Sequence, residues 1–443
     1  MTTTVVVGGG TSGLAAGFTL EKAGADYVVL EKTDSAGGRI RGTVRDGFTL
    51  DLGAQFFMSR YHATFEIMRK LGIYDELTNF TEPTGAGFVR NNRIYPAYLS
   101  QNYNMRHPLG VLKFGALSSK GKIEAARLLA KLFSLAKRLD FDDPEKAIDL
   151  DSLSLAEYVL KYSYEEVFEY IFQPFTGCLT LGEPEETSAA YGLALLWYIL
   201  PGMSTTKKGI GYLAESLARN VPNLRLHTGV SRIVLEDKRV KGVEIENGKK
   251  KEFIECDNVI CSTLAGQAAA LLPDLPASMT DILAGIRYSA CVLVMLATQR
   301  RYTGKLVAIT APRRDGLCFP GFLDNANKHP SYAPPGAGII HAFTYSDYAR
   351  EMLDMDDAAV QARVTRDIQS VIPEFPDEPL FCEIFRWPQA VCLSSPGQIA
   401  DVRRLKAGLR EYRGLQLVGE YFGMPSVEAA IYTGVQAAER VLE

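Results

Sequence analysis

The start of the chain alternates between a continuous apolar run, a helical pattern and a second apolar run. Val5, Val6 and Val7 predict a buried strand, because β-branched residues without intervening polar positions suit a strand covered on both faces. Small and apolar residues recur at helical spacing over residues 13–23, and Tyr27–Leu30 forms a second apolar run. This strand–helix–strand order predicts a parallel sheet of the α/β class.

The periodicity of the remaining sequence divides it into segments. Helical periodicity dominates residues 61–204, strand and hairpin patterns occupy 205–286, and alternating positions over 287–386 predict an antiparallel sheet. We therefore predict a first domain built from residues 1–60, 205–286 and 387–443. A second, discontinuous domain is predicted from 61–204 and 287–386.

Individual elements follow from the same periodicity. Helices are predicted over residues 62–71, 122–139, 155–172, 189–200, 356–372 and 429–441. Strands are predicted over residues 224–230, 258–263, 291–296 and 338–343, a hairpin over 233–245, and an alternating segment over 48–52. The apolar run 189–200 is too short to span a bilayer and predicts a buried helix.

A glycine-rich turn joins the first strand to the first helix. Gly8, Gly10 and Gly13 fill the pattern G-x-G-x-x-G, which lets the backbone turn sharply and approach a pyrophosphate without an intervening Cβ. The helix that follows, with Thr11 and Ser12 in its first turn, presents unpaired N–H groups and the positive end of its dipole. We predict a dinucleotide site here, since a tight turn alone would not require the acidic second strand described next.

The second strand ends in Glu31, which Lys32 follows. A carboxylate at this place can accept two hydrogen bonds from a ribose with free hydroxyls and repels a 2′-phosphate. The turn that contains Gly38 and Arg39 would bring a guanidinium to the same pyrophosphate. A small-residue turn at residues 53–56 would allow a flat group to approach.

Composition narrows the class of protein. The chain has 443 residues, 47% of them hydrophobic and 23% charged, with a net charge of −4, which gives no support for nucleic-acid binding. Seven cysteines occur singly without metal-ligand spacing, so we expect reduced thiols, a cytoplasmic setting and no metal site. The sequence runs from Met1 almost directly into the first strand, and we expect no secretion signal.

The glycine fingerprint, the Gly-Gly-Arg turn and the stretch 415–428 together resemble the flavin-dependent amine oxidoreductase superfamily. That superfamily includes monoamine oxidases, protoporphyrinogen oxidases and phytoene desaturases. The resemblance implies an α/β fold with a Rossmann-type, GR2-like FAD-binding domain and a discontinuous α+β substrate-binding domain. The cofactor-binding residues that the motifs and the resemblance indicate are Gly8, Gly10, Thr11, Ser12, Gly13, Glu31, Lys32, Gly38, Arg39, Gly53, Ala54, Gln55, Phe56, Val230, Gly419, Glu420, Pro425, Ser426 and Val427.

The resemblance also implies roles for these residues. It places Glu31 on the adenosine ribose, Arg39 near the pyrophosphate, residues 53–56 beside the isoalloxazine ring and the backbone of Val230 at the adenine. Glu420 can meet the ribityl hydroxyls. The helix after Pro425 would then aim its positive dipole end at the flavin N1–C2=O edge, where charge accumulates on reduction.

Three departures from monoamine oxidases bear on substrate and attachment. The lysine that those enzymes carry near flavin N5 corresponds to Ala290, and an aromatic residue of the terminal motif is replaced by Ser426 and Val427. The position of an attachment cysteine is taken by Gln389, with Cys392 three residues away, so we expect noncovalent FAD. The stretches 385–390 and 90–129 are more similar to the protoporphyrinogen oxidase branch.

Side chains beyond the cofactor motifs carry weaker signals. The pocket candidates are Phe56, Phe57, Arg386 and Trp387. A mixed cluster that could hold an aromatic or carboxylate-bearing substrate, or lie on solvated loops, comprises Arg90, Arg93, Arg106, Tyr95, Tyr98 and Tyr103.

An apolar stripe flanked by lysines and arginines runs along residues 117–139. It comprises Ile123, Leu128, Leu132, Leu135 and Leu139. We interpret this pattern as an amphipathic surface helix, and the alternative is an interfacial helix that docks on anionic lipid.

No Ser-His-Asp triad or carboxylate pair is recognisable in the sequence, so the cofactor must carry the reaction. We predict an oxidase or dehydrogenase that moves a hydride from a C–H bond of a bulky, largely apolar or aromatic small molecule to flavin N5. O2 or a quinone would accept the electrons. The alternatives are a flavin amine oxidase acting on a primary or secondary amine, a nicotinamide dehydrogenase and a noncatalytic flavin-binding protein. The oligomeric state stays open.

Overall fold

A computed structural model of the chain describes residues 3–81, 85–98, 114–247 and 250–443. Two sheets organise it: a parallel sheet of five strands and a mixed sheet of seven strands. The strands, in chain order, are β1 Thr4–Val7, β2 Tyr27–Leu30, β3 Gly42–Arg45, β4 Phe48–Asp51, β5 Phe57–Met58, β6 Leu77–Asn79, β7 Gly85–Arg90, β8 Arg93–Tyr98, β9 Met203–Thr206, β10 Leu224–Arg225, β11 Gly229–Glu236, β12 Arg239–Asn247, β13 Lys250–Glu255, β14 Asn258–Cys261, β15 Cys291–Thr298, β16 Leu306–Thr310, β17 Gly321–Asp324, β18 Gly338–Phe343, β19 Phe381–Trp387 and β20 Leu415–Leu417.

The helices cover the faces of these sheets. In chain order they are α1 Thr11–Lys22, α2 Ala63–Lys70, α3 Ser119–Leu135, α4 Leu155–Tyr162, α5 Glu165–Val167, α6 Gln173–Thr180, α7 Ala189–Ile199, α8 Gly211–Arg219, α9 Ala265–Leu271, α10 Ala277–Gly285, α11 Asn325–Lys328, α12 Ser346–Met352, α13 Asp357–Gln369, α14 Gln398–Leu409 and α15 Val427–Leu442. A π-helical turn, Phe168–Phe172, joins α5 to α6.

The parallel sheet has the strand order β10-β2-β1-β14-β20 and takes strands from three separate parts of the chain. In its centre, Val5 of β1 pairs with Val28 on one side and Val259 on the other. Val5 and Val6 are completely buried because helices or other strands cover both faces of the sheet. These strands fall within the segments 1–60, 205–286 and 387–443, whose boundaries stay predictions.

Helices α1 and α15 pack against each other with very little space between their backbones. A Cβ on Gly434 of α15 would lie 2.2 Å from the carbonyl oxygen of Ser12 in α1. On the side of α1 that faces the sheet, a Cβ on Gly17 would lie 2.7 Å from the side chain of Val29. Glycine at both positions therefore permits the approach of α1 to the sheet and to α15.

The mixed sheet has the strand order β19-β15-β18-β17-β16-β7-β8 and is antiparallel except between β16 and β7. Its two faces pack against different parts of the protein. On one face, Val292 and Val294 of β15 pack in a core with Val360 and Val364 of α13. The opposite face, which includes Leu293, turns toward the parallel sheet and lines a large cavity.

The helix predicted over residues 155–172 is interrupted in the structure. A capping box between Ser154 and Glu157 starts α4, which ends at Tyr162. Ser163 then adopts an extended backbone conformation with φ −145° and ψ −154°. The chain resumes as α5, the π-helical turn and α6, and the carboxylate of Glu166 in α5 accepts hydrogen bonds from Ser118 and Arg90.

Two strand predictions also change. The predicted strand 224–230 is interrupted at His227, whose φ of +52° ends β10 before β11 begins at Gly229. The alternating segment 48–52 becomes β4, and all four residues of β4 are buried. One face is covered where Phe48 packs edge to face on Phe381 of the mixed sheet, and on the other face Asp51 contacts Lys328 and Tyr332.

Among the residues that the structure describes, no helix is both long and apolar enough to cross a membrane.

Candidate functional site

A cavity of about 2440 Å³ is lined by residues of both sheets. Pockets that hold one drug-sized molecule usually measure about 300–1000 Å³. The cavity therefore has room for a dinucleotide and for a second ligand beside it.

The glycine-rich turn forms one end of this cavity. Gly8 has a φ of +102°, and a Cβ on Gly13 would lie 2.0 Å from the Gly8 carbonyl oxygen. A Cβ on Gly10, by contrast, would meet no atom within 4 Å and would project into a space that a ligand can fill. Gly10 is also the N-cap of α1, and no side chain caps the first turn. The N–H groups of that turn can therefore donate to phosphate oxygens.

Glu31 lies on the wall next to this turn. Its Oε2 accepts a hydrogen bond from Gly9 N at 2.7 Å, and its Oε1 accepts from the N and the Oγ1 of Thr33, both at 2.8 Å. A carboxylate offers about four acceptor positions, so these three bonds leave one for a ribose hydroxyl, where the sequence predicts two. Lys32 and Val230 line the same part of the cavity.

Arg39 and Glu420 connect the first and the last of the motifs. The guanidinium Nη2 of Arg39 lies 2.7 Å from Oε1 of Glu420, and its Nη1 donates to the carbonyl oxygen of Ala390 at 3.0 Å. Both side chains line the cavity. Their pairing holds each in a fixed orientation toward a ligand.

Arg41 is a cavity residue that the sequence analysis missed. Its Nη1 donates to Ser35 Oγ at 2.5 Å, and its guanidinium lies 5.5 Å and 5.6 Å from the ring centres of Phe385 and Trp387. The available signal was the recurrence of arginine two residues after Arg39. Arg41 adds a further positive charge to the cavity wall beside Arg39 and Lys32.

The segment 53–56 forms part of the wall. A Cβ on Gly53 would lie 2.1 Å from the carbonyl oxygen of Arg39, to which Ala54 N donates at 3.0 Å. The Nε2 of Gln55 donates to the carbonyl oxygens of Asp51 and Gly53 at 2.9 Å and 2.8 Å. These bonds close the segment on itself and give it a defined shape.

Helix α15 points its N-terminus into the same cavity. Ser426 is its N-cap and accepts a hydrogen bond from Ala429 N at 3.0 Å. Pro425, Ser426 and Val427 line the cavity, so the positive end of the helix dipole faces any ligand there. Glu428 points away and caps α2 by accepting from Ala63 N and Thr64 N at 2.6 Å and 2.9 Å.

The structure corrects two of the four pocket candidates. Phe56 and Trp387 line the cavity, whereas Phe57 is completely buried with its ring 6.3 Å from that of Phe65. Arg386 pairs with Asp357 at 2.8 Å, away from the cavity. The reason is the alternation of side chains along β5 and β19, which sends neighbouring residues to opposite faces.

Two predicted cofactor glycines lie behind the wall. Gly13 packs against Gly8, and a Cβ on Gly419, which has a φ of +147°, would lie 2.8 Å from the ring of Tyr421. Neither is among the described residues that line the cavity. Packing alone therefore accounts for glycine at both positions, without a contact to a ligand.

Alternation also changes the placement of position 290. Ala290 is fully buried in the core with Val292 on the far face of the mixed sheet, while Cys291 and Leu293 face the cavity. A lysine at position 290 would thus point away from the cavity. The only lysines among the described cavity residues are Lys32 and Lys122.

The predicted arginine and tyrosine cluster does not form a ligand site in the described residues. Arg90 pairs with Glu166 at 2.6 Å and donates to the carbonyl oxygen of Ala116 at 2.7 Å. Arg93 is exposed at the hairpin turn, and Tyr95 packs on Gly115. Arg106, Tyr103 and the side chain of Tyr98 lie outside the described residues.

The part of the cavity away from these motifs is apolar. Its wall comes from the mixed sheet and from α3, α6, α7 and the π-helical turn. It includes Phe80, Phe88, Phe114, Ile123, Ile171, Phe172, Phe175, Leu179, Leu195, Leu196, Ile199, Met203, Leu293, Val307, Phe322, Leu323 and Phe343.

A glycine cradle open to a ligand, an uncapped helix N-terminus and a ribose-facing carboxylate fit a flavin dinucleotide. A family model described as flavin containing amine oxidoreductase matches residues 11–442. The chain belongs to this family. It is an FAD-dependent oxidoreductase.

Relatives within the family act on different compounds. The chain is 22% identical to coproporphyrinogen III oxidase of Bacillus subtilis (strain 168), with 99% of this chain and 97% of that protein covered. It is 26% identical to zeta-carotene-forming phytoene desaturase of Myxococcus xanthus, with 67% and 60% covered. The solved structure of cyclohexylamine oxidase from Brevibacterium oxydans IH-35A matches with a TM-score of 0.76, 18% identity, and coverage of 99% and 98%.

Three cysteines line the cavity of this flavin oxidoreductase: Cys178, Cys291 and Cys392. Burial raises the pKa of each thiol to about 12. The thiolate is the nucleophilic form of cysteine, and it is scarce at neutral pH when the pKa is this high. Gln389, which also lines the cavity, has no nucleophilic atom.

We therefore expect purified protein to release its FAD on acid or heat denaturation. The measurement is the flavin absorbance in the supernatant and the pellet after precipitation. Flavin that remained with the polypeptide would contradict this expectation, and its release from a Cys392→Ala variant would then identify the attachment site.

Glu31→Ala should weaken FAD binding by about 1.5–3 kcal/mol, the contribution of one charge-assisted hydrogen bond. Titration of the apoprotein with FAD gives the dissociation constant. Thr33→Val is the matched control, because it removes one bond to the Glu31 carboxylate and keeps the carboxylate itself. An unchanged FAD affinity in Glu31→Ala would show that the ribose assignment is wrong.

Proposed function

We propose that the protein oxidises a bulky, largely apolar or aromatic small molecule by moving a hydride from a substrate C–H bond to flavin N5. O2 or a quinone would reoxidise the flavin. The observation that carries this proposal is the apolar wall on the substrate side of the cavity.

Charge is nearly absent from that wall. Among the described lining residues, Lys122 is the one charged side chain apart from those of the cofactor motifs and Arg41. Apolar burial contributes about 25 cal/mol per Å², so a large ring system or chain can bind tightly here without an ion pair. A small charged substrate would gain little from the same surface.

Bound FAD supplies the hydride acceptor for the reaction. The first turn of α1 and Arg39 would hold its phosphate end, and Glu420 would accept hydrogen bonds from polyol hydroxyls. The N-terminus of α15 would stabilise negative charge where it meets the cavity. The phenylalanine and leucine side chains of the wall orient the substrate and exclude water.

None of the described substrate-side residues is a histidine, an aspartate or a glutamate. The described part of this wall therefore offers no histidine or carboxylate base. This composition supports hydride transfer without a dedicated protein base.

A flavin amine oxidase is the second candidate. The similarity to cyclohexylamine oxidase over nearly the whole chain favours it. Against it stands the composition of the cavity: no carboxylate is available among the described substrate-side residues to attract a substrate ammonium group.

Bulky compounds should reduce the flavin faster than simple primary amines do. Benzylamine represents the amines, and porphyrinogens, polyenes and larger heteroaromatic molecules represent the bulky class. The measurement is the rate of anaerobic bleaching of the flavin absorbance. Faster reduction by benzylamine would exclude the proposed substrate class and favour the amine oxidase.

A substitution on the substrate wall sharpens this test. Leu323→Asp places a carboxylate on the apolar side of the cavity and should slow reduction by the bulky substrate, because the substrate would have to desolvate the charge. Its FAD content should stay unchanged. Equal slowing by Leu380→Asp, an exposed residue before β19, would show a nonspecific effect.

Helix α3 supports a further part of the proposal, contact with an anionic lipid surface. Ile123 and Phe133 are 55% and 43% exposed, and the exposed Lys120, Arg127 and Lys137 flank them in the sequence. Ile123 also lines the cavity. A lipid surface against α3 would therefore lie next to the apolar side of the cavity.

The double variant Ile123→Asp/Phe133→Asp should bind anionic phospholipid vesicles at least about tenfold more weakly than the native protein, since burial of each large apolar side chain contributes about 1.5–3 kcal/mol. Vesicle cosedimentation measures the binding. Leu380→Asp is the control, because Leu380 is 51% exposed. Absence of vesicle binding by the native protein would leave α3 as an ordinary amphipathic surface helix.

A further inference from the structure

Asp51 and Lys328 form a completely buried ion pair beside the cofactor wall. Both side chains have no exposed surface, and Lys328 Nζ lies 3.0 Å from Asp51 Oδ2. Burial lowers the pKa of Lys328, and the charge of Asp51 opposes that shift. A buried pair of this kind is weak evidence for stability, so its position requires a different explanation.

The ammonium of Lys328 has a second partner, the carbonyl oxygen of Gln55 at 2.7 Å. Gln55 belongs to the wall segment 53–56, and its side-chain amide closes that segment on Asp51 and Gly53. Lys328 itself does not line the cavity among the described residues. It therefore contacts the back of the wall and not the ligand.

The carboxylate of Asp51 connects its own part of the chain to two others by hydrogen bonds. Its Oδ1 accepts from Ile210 N at 2.8 Å, and its Oδ2 accepts from Lys328 and from the hydroxyl of Tyr332 at 3.0 Å. Asp51 ends β4, Ile210 precedes α8, and Lys328 and Tyr332 follow the mixed-sheet strand β17. The pair thus joins both domains directly behind segment 53–56.

A second contact reaches the same wall residue from the mixed sheet. Asn325, at the start of α11, donates through Nδ2 to Gln55 Oε1 at 3.2 Å. His341 of β18 lies within 3.1 Å of the same Gln55 oxygen, and burial keeps its pKa well below the ordinary range. Gln55 is therefore held at its carbonyl by Lys328 and at its side chain by neutral groups.

We infer that Lys328 is a positioning residue for the flavin: by binding the Gln55 carbonyl, it fixes the wall segment against which the isoalloxazine ring lies. The inference rests on the proposed placement of the ring beside residues 53–56. It assigns Lys328 no contact with flavin or substrate and no proton transfer.

A purely structural role makes a different prediction. If the ion pair only stabilised the fold, replacement of both partners by neutral residues would restore normal protein, because the cost of a broken buried pair comes from the unpaired charge. A positioning role predicts that the Gln55 carbonyl still lacks its donor in such a double variant.

The test compares Lys328→Met, the double variant Asp51→Asn/Lys328→Met, and Tyr332→Phe. Tyr332→Phe is the matched control, since it removes a bond to the same Asp51 oxygen and leaves the Lys328–Gln55 bond in place. For each holoenzyme we would measure the thermal midpoint, the FAD dissociation constant, and the visible absorption and circular dichroism of the bound flavin.

The double variant should recover thermal stability relative to Lys328→Met. Its FAD dissociation constant should stay about tenfold or more above that of the native protein, the effect of one lost charge-assisted hydrogen bond, and its flavin spectrum should stay shifted. Tyr332→Phe should keep the native dissociation constant and spectrum. Should Lys328→Met fail to fold, the double variant still provides the comparison.

Native FAD affinity and a native flavin spectrum in the double variant would overturn the inference. The same changes in Tyr332→Phe as in the double variant would also overturn it. These readouts do not involve substrate, so a protein that binds FAD normally and oxidises no bulky compound would refute the proposed function alone.

Discussion

Close backbone approach at the first turn of α1 is the constraint on which the rest of the structure depends. The position of Gly13 leaves no space for a side chain against Gly8, and that of Gly434 leaves none against Ser12. Strand β1, helix α1 and helix α15 therefore meet almost at backbone contact. This contact directs the uncapped N-terminus of α1 at the cavity. It also lets α15, which follows the C-terminal motif 415–428, point its N-terminus into the same cavity.

The features that could be predicted from the sequence are local ones. One short stretch of sequence contains the apolar run Val5–Val7, the glycine spacing and the acid at Glu31. Because these features are close in sequence, their pattern alone predicts the Rossmann-type unit. The strand Gly338–Phe343 also has the predicted bounds. Such elements form where local propensity and tertiary packing favour the same conformation.

The features that could not be predicted depend on partners distant in sequence. Phe57 and Arg386 are residue types that often line pockets. Whether their side chains face the cavity depends on how the strand that carries them packs against the other domain. In the sequence nothing distinguishes Lys328 from a surface lysine, because its partners, Asp51 and the Gln55 carbonyl, are distant in the chain. The segment after the break at Ser163 likewise contacts a distant part of the chain, since Glu166 bonds to Ser118.

The parallel sheet takes its strands from three separated parts of the chain, and this has a consequence for biosynthesis. During translation β1, β2, β10 and β14 leave the ribosome well before β20 and α15. Until residues 415–442 emerge, the edge of β14 and the side of α1 that packs on α15 have no covering partner, which is the kind of exposed surface that chaperones recognise. FAD can therefore find its complete site only late in synthesis, and its binding then favours the folded chain by mass action.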